Sequence, residues 1–257
     1  MKIDIKTKAE IDQMREACRL TGEVRDLCAA KVEPGMTTAD MDAIVRDFCR
    51  KHQAAASFLG YDGYPGAICV SLNDEVIHGI PSAKRVIMPG DLVKLDVGVN
   101  IHGFNGDSAR TVMVGVTDPR TIQLVETTRK ALFAGIAAGG PGKHIGDIGA
   151  AVQKVAEDAG FSIVREFVGH GVGRTVHEDP YVPNYGKPGH GVVLKPGMTI
   201  AIEPMVNMGS REVEIQDDDW TVTTADGMPS AHFEHTVAVT DDGLEILTLP
   251  ADYGDKK

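Results

Sequence analysis

The stretch VKLDVGVNIHGFNGDSART at residues 93–111 decides the fold of this chain. Its first half alternates apolar with polar residues, the period-two pattern of a β-strand. A second strand is predicted at 111–116, and the Gly- and Asn-rich segment HGFNG between the two favours a hairpin. With a turn centred near residues 101–102, Asp96 and Asp107 are predicted to face each other on one side of the sheet.

The two carboxylates need a counter-charge if they share one face. Like charges opposite one another destabilise a sheet, and such a pair shares protons unless a cation neutralises it. A bound metal ion is therefore one interpretation of Asp96 and Asp107. The other is that Asp107 is a turn residue and Asp96 a solvated strand residue, and the hairpin alone leaves both open.

An internal repeat adds a further acid. VIMPGDLVKLDVGV at 86–99 recurs as VLKPGMTIAIEPMV at 193–206, with the Pro-Gly turn and the apolar pattern retained. The match places Glu203 at the position of Asp96, since 203 − 96 = 107. An acid is therefore repeated together with the strand that carries it.

The repeat extends to a second segment, because EPGMTTADMD at 33–42 recurs as GPGKHIGDIG at 140–149. Two copies of one unit are predicted to pack as a pseudo-twofold pair, in an α+β fold with helices covering an antiparallel sheet. A central site would then draw acids from both halves. Glu234 is the expected counterpart of Asp107, displaced by an insertion at about 207–229.

Composition limits the class of protein. The chain has 257 residues, of which 42% are hydrophobic and 25% charged, as in soluble globular proteins. The formal charge of −11 disfavours binding to nucleic acid. We see no apolar run of the ~18 residues that span a membrane and no signal peptide. The four cysteines form no CxxC pair, so we expect free thiols in a cytoplasmic protein.

Helical periodicity and capping signals predict the helical elements. They lie at 8–30, 38–52, 119–138 and 145–159. No linker rich in Pro, Ser or charge divides the chain. We therefore expect a single catalytic domain over residues 1–257, with an N-terminal half at about 1–116 and a C-terminal half at about 117–257.

Histidines in three places are candidates for the same site. His170 stands between glycines in VGHGVGRTVHEDP at 168–180, and glycine lets the backbone approach closely. Neutral imidazole is a common ligand of first-row metals, so His170 is a candidate ligand beside the acids. His78 and His177 are candidates for groups that contact the substrate or support the ligands; a structural histidine is the alternative for each.

These residues lie in a recognisable order of motifs. KLDVGV, FNGD, GHGVG, IEPM and FEHT carry, in turn, Asp96, Asp107, His170, Glu203 and Glu234. The set resembles the type I methionine aminopeptidases of the pita-bread fold, over nearly the whole chain from about residue 3 to residue 249. The resemblance implies that the five residues hold two divalent ions. Hard carboxylate oxygens with one imidazole suit Co, Mn or Fe(II). The long insertion of type II enzymes and a zinc-finger-like N-terminal extension are missing, which implies a minimal bacterial-type enzyme.

The resemblance also implies an activity. It is the metal-dependent hydrolysis that removes the N-terminal methionine from peptides and nascent proteins, with a water bound by both ions as the nucleophile. Two such ions lower the pKa of the shared water and stabilise the oxyanion of the tetrahedral intermediate. Glu203 would accept the proton of the water, His177 would stabilise the attacked carbonyl, and His78 would assist the leaving nitrogen.

A methionine pocket and a second cation site are further implications. Apolar and polarisable walls suit a thioether. The implied substrate-binding residues are Phe58, Tyr61, Tyr64, Cys69, His78, Val176, His177 and Trp220. Phe58 and Val176 depart from many bacterial relatives, so we expect a different pocket shape, and loop packing is the alternative for the aromatic residues. Asn73, Glu75 and Ser230 resemble a site for one Na⁺ or K⁺ ion, built mostly from backbone carbonyls.

Two other functions stay open at this stage. A proline-specific pita-bread peptidase usually carries a separate N-terminal domain, for which there is no room before Pro34. A non-catalytic binding module on the same fold would have lost metal ligands, whereas all five are present here.

The expected partners are N-terminal Met peptides, nascent chains and the ribosome, for a monomer in the cytoplasm. Neither a membrane nor sequence-specific nucleic acid is expected. An acidic chain needs a local basic face to dock on the ribosome. The weak candidates for that face are Arg46, Arg50, Lys51, Lys84 and Arg85.

Overall fold

A computed structural model describes residues 2–249, so the predicted domain of residues 1–257 extends beyond the described residues at both ends. The helices are α1 (Lys8–Lys31), α2 (Thr38–Lys51), α3 (Pro119–Ala138) and α4 (Ile145–Asp158). They confirm the four helical predictions to within one residue. The capping box of Thr7 and Glu10 at the start of α1 is also confirmed, and it pairs backbone N–H groups that the first turn of a helix leaves open.

The strands are short apart from one hairpin. In chain order they are β1 (Ala55–Ala56), β2 (Cys69–Leu72), β3 (Glu75–Ile77), β4 (Asp91–Ile101), β5 (Phe104–Val114), β6 (Ser162–Ile163), β7 (Gly169–Gly171), β8 (Glu178–Val182), β9 (Thr199–Ile202), β10 (Met205–Asn207), β11 (Val213–Ile215), β12 (Val222–Thr224), β13 (Ser230–His232), β14 (His235–Val239) and β15 (Leu244–Ile246). In the N-terminal half, β4 pairs with β1, β2 and β5. In the C-terminal half, five strands lie in the order β15-β14-β9-β7-β8. Each of these pairings is antiparallel, as predicted.

The central hairpin exists, but its predicted register is wrong by two residues. The turn lies at His102 and Gly103, both with positive φ, and β5 already begins after Gly103 rather than at residue 111. Asp96 is therefore opposite Ala109 and not opposite Asp107. The physical reason is that this two-residue turn has positive φ at both central positions, as in a type I′ turn, and the β-branched Ile101 disfavours such a conformation.

The two acids nevertheless project from one face. Asp107 is opposite Gly98, two residues along β4 from Asp96, and side chains two residues apart point to the same side. The pair is therefore diagonal, and both carboxylates line the same cavity.

The internal duplication is confirmed by contacts repeated at the same spacing. An antiparallel bridge joins Thr37 to Val86, and another joins His144 to Val193; both partners are shifted by 107 residues (144 − 37 and 193 − 86). Helices α2 and α4 keep the same shift at both ends. Two copies of one folding unit therefore face each other across the molecule.

The predicted insertion forms an extra hairpin in the C-terminal half. Strands β11 and β12 pair with each other, and β12 also pairs with β3 from the N-terminal half. Trp220 lies in the turn between β11 and β12. The insertion thus brings a C-terminal aromatic residue against the N-terminal unit.

Each half has its own apolar core. Leu20, Val45 and Val97 belong to the N-terminal core, whereas Leu132, Ile148 and Ile202 belong to the C-terminal one. Burying such a side chain contributes about 1.5–3 kcal/mol relative to leaving it exposed. The four cysteines are buried free thiols, as predicted. Among residues 2–249 we find no helix that is long and apolar enough to cross a membrane.

Candidate metal centre and active site

The five predicted metal ligands lie around one cavity of about 520 Å³, part of which is open to solvent. Asp96 and Asp107 come from the hairpin β4–β5, and His170 from β7. Glu203 occupies the break between β9 and β10, and Glu234 the break between β13 and β14. The two halves of the duplicated fold therefore contribute acids to the same space.

The ligand atoms are close enough to share an ion. Asp107, His170 and Glu234 each offer one atom, and these three atoms lie within 4.8 Å of one another. His170 Nε2 is 3.3 Å from Glu203 Oε1 and 3.8 Å from Asp107 Oδ2. His170 Nδ1 is 2.8 Å from the Gly171 carbonyl oxygen, which fixes the proton on Nδ1 and leaves Nε2 as an electron-pair donor toward the acids.

Buried carboxylate oxygens without hydrogen-bond partners show whether these residues suit a metal ion. Asp96 Oδ1, Asp107 Oδ1 and Glu234 Oε1 are buried, and within residues 2–249 none has a hydrogen-bond partner. A buried polar atom without a partner costs free energy, and a buried charge costs more. Divalent ions satisfy such oxygens directly. The donor set therefore fits the predicted metal centre.

The electrostatics of the cluster agree with this fit. Burial raises the pKa of Asp107, Glu203 and Glu234 well above the ordinary carboxyl range, and neighbouring acids raise it further. Burial likewise raises the pKa of Asp96. Burial lowers the pKa of His170 to about 3, so its imidazole is neutral at pH 7. A cation is the partner that would let these acids ionise together.

Hydrogen bonds between the halves hold the acid-bearing segments in place. The Asp107 N–H donates to Thr236 Oγ1 over 3.0 Å, and the Thr236 hydroxyl donates back to the Asp107 carbonyl over 2.8 Å. The Ser108 hydroxyl donates to the Glu234 carbonyl over 2.7 Å. The backbone positions of two ligands are thus set by contacts that do not involve the carboxylates themselves.

Metal affinity is expected to rise with pH. The carboxyl groups hold protons in the metal-free protein because their pKa values are raised, and a metal ion binds only their ionised forms. Mn²⁺ binding should therefore release protons and tighten between about pH 6 and pH 8. Titration calorimetry in two buffers of different ionisation enthalpy measures both effects. An affinity that does not change with pH, with no proton release, would contradict the raised pKa values.

An apolar cluster forms the wall beside the acids. Phe58, Tyr64, Cys69 and Val176 are its buried members, and Tyr61, Ile80 and Trp220 pack against them. The predicted substrate-binding residues line the cavity apart from Val176, which lies in the cluster but not on the cavity surface. The sequence interpretation missed Ile80, whose only signal was its place between His78 and Pro81.

The aromatic wall is held rigidly. The Tyr64 hydroxyl donates to the Gly79 carbonyl oxygen over 2.9 Å, and the Tyr64 and Trp220 rings meet edge-on with centroids 5.0 Å apart. Burial raises the pKa of the Cys69 thiol well above its ordinary value, so Cys69 stays an uncharged, polarisable wall residue.

The two histidines outside the ligand set lie at the cavity. The His177 ring is 4.2 Å from the His170 ring, and its Nδ1 shares a hydrogen bond of 2.8 Å with the Tyr61 hydroxyl. His177 is exposed at the mouth of the cavity. His78 has a φ of 60°, rare for a residue with a side chain, and burial lowers its pKa to about 4. Strained backbone of this kind is often found at functional sites.

His232 is a site residue that the sequence interpretation missed. It is fully buried, and its Nε2 lies 3.8 Å from Glu203 Oε2. Neither ring nitrogen has a hydrogen-bond partner among the described residues, and burial lowers its pKa to about 3. A signal existed, because His232 is two residues before Glu234 and alternate residues of an extended segment face the same way.

The Lys94 ammonium group lies beside Asn73 and Ser230, two of the residues predicted to bind a monovalent ion. The Lys94 ammonium donates to the Asn73 carbonyl oxygen over 2.7 Å and to the Ser230 carbonyl oxygen over 3.1 Å. Glu75 accepts hydrogen bonds from the Leu72 N–H and the Arg85 guanidinium. Two carbonyl oxygens of the predicted site, those of Asn73 and Ser230, are therefore already engaged by a side chain.

Comparison with known proteins agrees with this geometry. The profile of Metallopeptidase family M24 matches residues 12–241. A methionine aminopeptidase of Clostridium acetobutylicum is 46% identical over 247 residues, which cover 96% of this chain and 99% of that protein. The crystal structure of a methionine aminopeptidase from Thermotoga maritima superposes with a TM-score of 0.95 at 45% identity, covering 96% of this chain and 100% of the other.

A more distant structure shares the fold alone. The prolidase of Pyrococcus furiosus superposes with a TM-score of 0.75 at 24% identity, covering 95% of this chain but 65% of the prolidase. The fold, together with the cluster of acids around His170, defines a metallopeptidase with the pita-bread architecture. The chain belongs to metallopeptidase family M24 and, within it, to the bacterial-type methionine aminopeptidases.

Proposed function

We propose that this protein removes the N-terminal methionine from peptides and nascent proteins by metal-dependent hydrolysis. The observation that carries the proposal is the position of the buried acids beside a half-open apolar cavity. Among residues 2–249, Asp96, Asp107 and Glu234 each present one oxygen there without a hydrogen-bond partner, and aromatic and thiol groups form the adjoining wall. Relatives 45–48% identical to this chain carry the name methionine aminopeptidase.

The five ligands proposed for two divalent ions are Asp96, Asp107, His170, Glu203 and Glu234. Four carboxylates and one imidazole favour Mn, Fe(II) or Co over a structural zinc site, which is usually built from thiolates. Bound ions supply Lewis acidity and a hydroxide-like water at neutral pH. Their identity is part of the proposal.

Glu203 is the proposed general base. Its carboxylate faces the cavity 3.3 Å from His170 Nε2, and the Asn184 amide donates to its backbone carbonyl over 3.0 Å, which anchors the break between β9 and β10. Burial raises the pKa of Glu203, and a base with a raised pKa accepts a proton more readily once it is ionised. The attacking water would pass its proton to this group.

The two histidines are proposed to act on the substrate from the open side. His177 lies at the mouth of the cavity and is oriented by its hydrogen bond to the Tyr61 hydroxyl, so it can donate to the attacked carbonyl oxygen. His78 lies between the Phe167 and Trp220 rings, with centroid distances of 5.9 and 6.2 Å. We place it near the leaving nitrogen. Its lowered pKa keeps it neutral, so it would act as a hydrogen-bonding group rather than as a fixed charge.

Methionine specificity is assigned to the wall of Phe58, Tyr61, Tyr64, Cys69 and Trp220. Rings and a thiol line the cavity and offer polarisable surface for a thioether. Val176 supports the wall from behind.

We further propose a monomeric enzyme that acts on nascent chains in the cytoplasm. The basic residues considered for docking on the ribosome give this step little support. Arg46, Arg50, Lys51 and Arg85 each form an ion pair with a neighbouring acid, and such pairs reduce the local positive field.

The activity is tested with metal-stripped protein to which Mn²⁺, Fe²⁺ or Co²⁺ is added back without oxygen. We expect metal-dependent release of methionine from Met-Ala-Ser, and none from N-acetylated Met-Ala-Ser or from Ala-Pro peptides. The acetylated peptide lacks the free amine, and Ala-Pro tests the proline-specific alternative. Metal binding by folded protein without methionine release from any peptide would refute the proposal and favour a binding module.

A further inference from the structure

Lys94 is a fully buried lysine in the middle of β4, at 1% exposure. An ammonium group taken out of water is costly unless it finds close oxygen ligands. The oxygens that Lys94 finds are the backbone carbonyls of Asn73 and Ser230, at 2.7 and 3.1 Å. The proposed catalytic machinery does not use this side chain, so its burial needs another explanation.

The surroundings resemble those of a bound monovalent ion. Backbone carbonyl oxygens are the ligands with which proteins replace the hydration shell of such ions. Burial lowers the pKa of Lys94 to about 7, and the carboxylates of Glu75, Asp74 and Asp91 act against this shift by favouring the charged form. In its protonated form, Lys94 places one positive charge against the carbonyl oxygens of Asn73 and Ser230.

This charge joins three segments of the chain. Asn73 lies between β2 and β3, and its carbonyl oxygen accepts both from Lys94 Nζ and, over 3.0 Å, from the Ser230 N–H. The Asn73 side chain accepts from the Leu92 N–H and donates to Asp91 Oδ1. Asn73 thus links the start of β4 to the start of β13. The Lys94 ammonium adds a further link, because it donates to the carbonyl oxygens of both Asn73 and Ser230.

Both strands at the junction lead to proposed metal ligands. Lys94 is two residues before Asp96 on β4 and projects from the same face. Ser230 begins β13, which leads to His232 and then to Glu234. A link between Lys94 and Ser230 therefore sets the spacing of the segment that carries Asp96 and the segment that carries Glu234.

We propose that the Lys94 ammonium is a built-in monovalent cation that fixes the spacing of β4 and β13 at the metal centre, so that this protein needs no free Na⁺ or K⁺. The effect on turnover rests on the proposed function, whereas the effect on stability does not. Lys94 is a positioning residue, since it acts through the strands that carry Asp96 and Glu234.

Thermal unfolding of the metal-stripped protein tests the inference without using activity. Wild type, Lys94→Ala and Lys94→Met are compared in tetramethylammonium chloride, with K⁺, Na⁺ or NH₄⁺ replacing that cation at constant ionic strength. We expect no saturable response from the wild type. Lys94→Ala should unfold at a lower temperature and recover saturably with one of the small cations, because the cavity left by the side chain exposes the carbonyls. Lys94→Met should be destabilised without recovery, because its side chain fills the space without a charge.

A second readout separates this inference from the proposed function. With saturating Mn²⁺, Lys94→Ala should release methionine at least ~10-fold more slowly in tetramethylammonium and recover with the same small cation, since small misplacements of reacting groups cost this much or more. The exposed Lys154→Ala is the matched control and should respond to no cation. If no variant or wild type releases methionine, the unfolding experiment still decides the inference.

Two results would overturn the inference. One is a saturable stabilisation of the wild type by K⁺ or Na⁺, which would mean that a free ion binds in addition to Lys94. The other is a Lys94→Ala protein that responds to none of the three cations. If Lys94→Ala does not fold in tetramethylammonium, its refolding yield in each of the small cations provides the same comparison.

Discussion

Replacing Glu203 with Gln should lower kcat for methionine release by ~10³-fold, because general bases in enzymes contribute typically 10²–10⁴-fold. Glutamine keeps the size of the side chain but cannot accept the proton of the attacking water. The fold should persist, since the Glu203 carbonyl and not its carboxylate anchors the local backbone to Asn184. The measurement is kcat at saturating Mn²⁺, so that a weaker metal affinity does not determine the result.

The matched control for this change is Glu212→Gln. Glu212 is an exposed acid beside β11, and the same substitution there should leave kcat within about twofold, as for most surface changes. Circular dichroism and metal content are compared for both variants. Near-normal turnover by folded, metal-loaded Glu203→Gln would remove Glu203 from the proposed role of general base.

The second large effect is expected from His170→Ala. His170 is the only imidazole among the five proposed ligands, and its Nε2 is the atom that lies near both Asp107 and Glu203. Its removal should weaken Mn²⁺ binding by at least ~100-fold, because even partners of metal ligands typically contribute 10–100-fold. Methionine release at limiting Mn²⁺ should be lost in proportion. Anaerobic titration calorimetry measures the affinity and the number of ions bound.

His190→Ala provides the comparison for the loss of an imidazole. His190 is exposed, contacts the Pro188 carbonyl oxygen and does not line the cavity, so its removal should leave Mn²⁺ affinity unchanged. If His170→Ala binds Mn²⁺ as tightly as His190→Ala and the wild type, His170 is not a metal ligand and the centre must be assembled from the carboxylates alone.

The acids cost stability in the metal-free protein, and this cost is part of how the site works. Asp107 and Glu234 are almost fully buried at the same site, and their raised pKa values reflect that burial first and repulsion from neighbouring acids second. Ordinary cores avoid such groups. Hydrogen bonds with Thr236 and Ser108 hold the backbone of Asp107 and Glu234 in place. The two carboxylates are therefore positioned for a metal ion, whose binding would offset the free-energy cost of burying them.

Local patterns predicted the elements well. Helix α1 follows from a capping box and a 3.6-residue apolar period, and both depend on residues close in sequence. The repeat at 107 residues was equally direct, because the two copies retain the Pro-Gly turns and one acid each. Spacing and chemistry together made the five candidate ligands recognisable before any contact was known.

Local patterns did not predict the register of the hairpin or the contacts between residues far apart in the sequence. The hairpin turn was misplaced because HGFNG offers several small or polar residues, and only the requirement for positive φ at two adjacent positions selects His102 and Gly103. His232 was not identified from the sequence because a lone histidine in a strand does not reveal which acid lies near it in the fold. Glu203 becomes its neighbour only when β10 pairs with β13.

The sequence by itself determined the four helices, the duplicated plan and the identity of the groups that fit a metal, because these depend on local propensity, on repetition and on residue chemistry. The tertiary structure alone decided that Asp96 and Asp107 meet diagonally and that His232 faces Glu203. It also decided that the Lys94 ammonium donates hydrogen bonds to the carbonyl oxygens of Asn73 and Ser230. These facts depend on the distance between residues far apart in the chain, and only the packing of one half of the fold against the other fixes that distance.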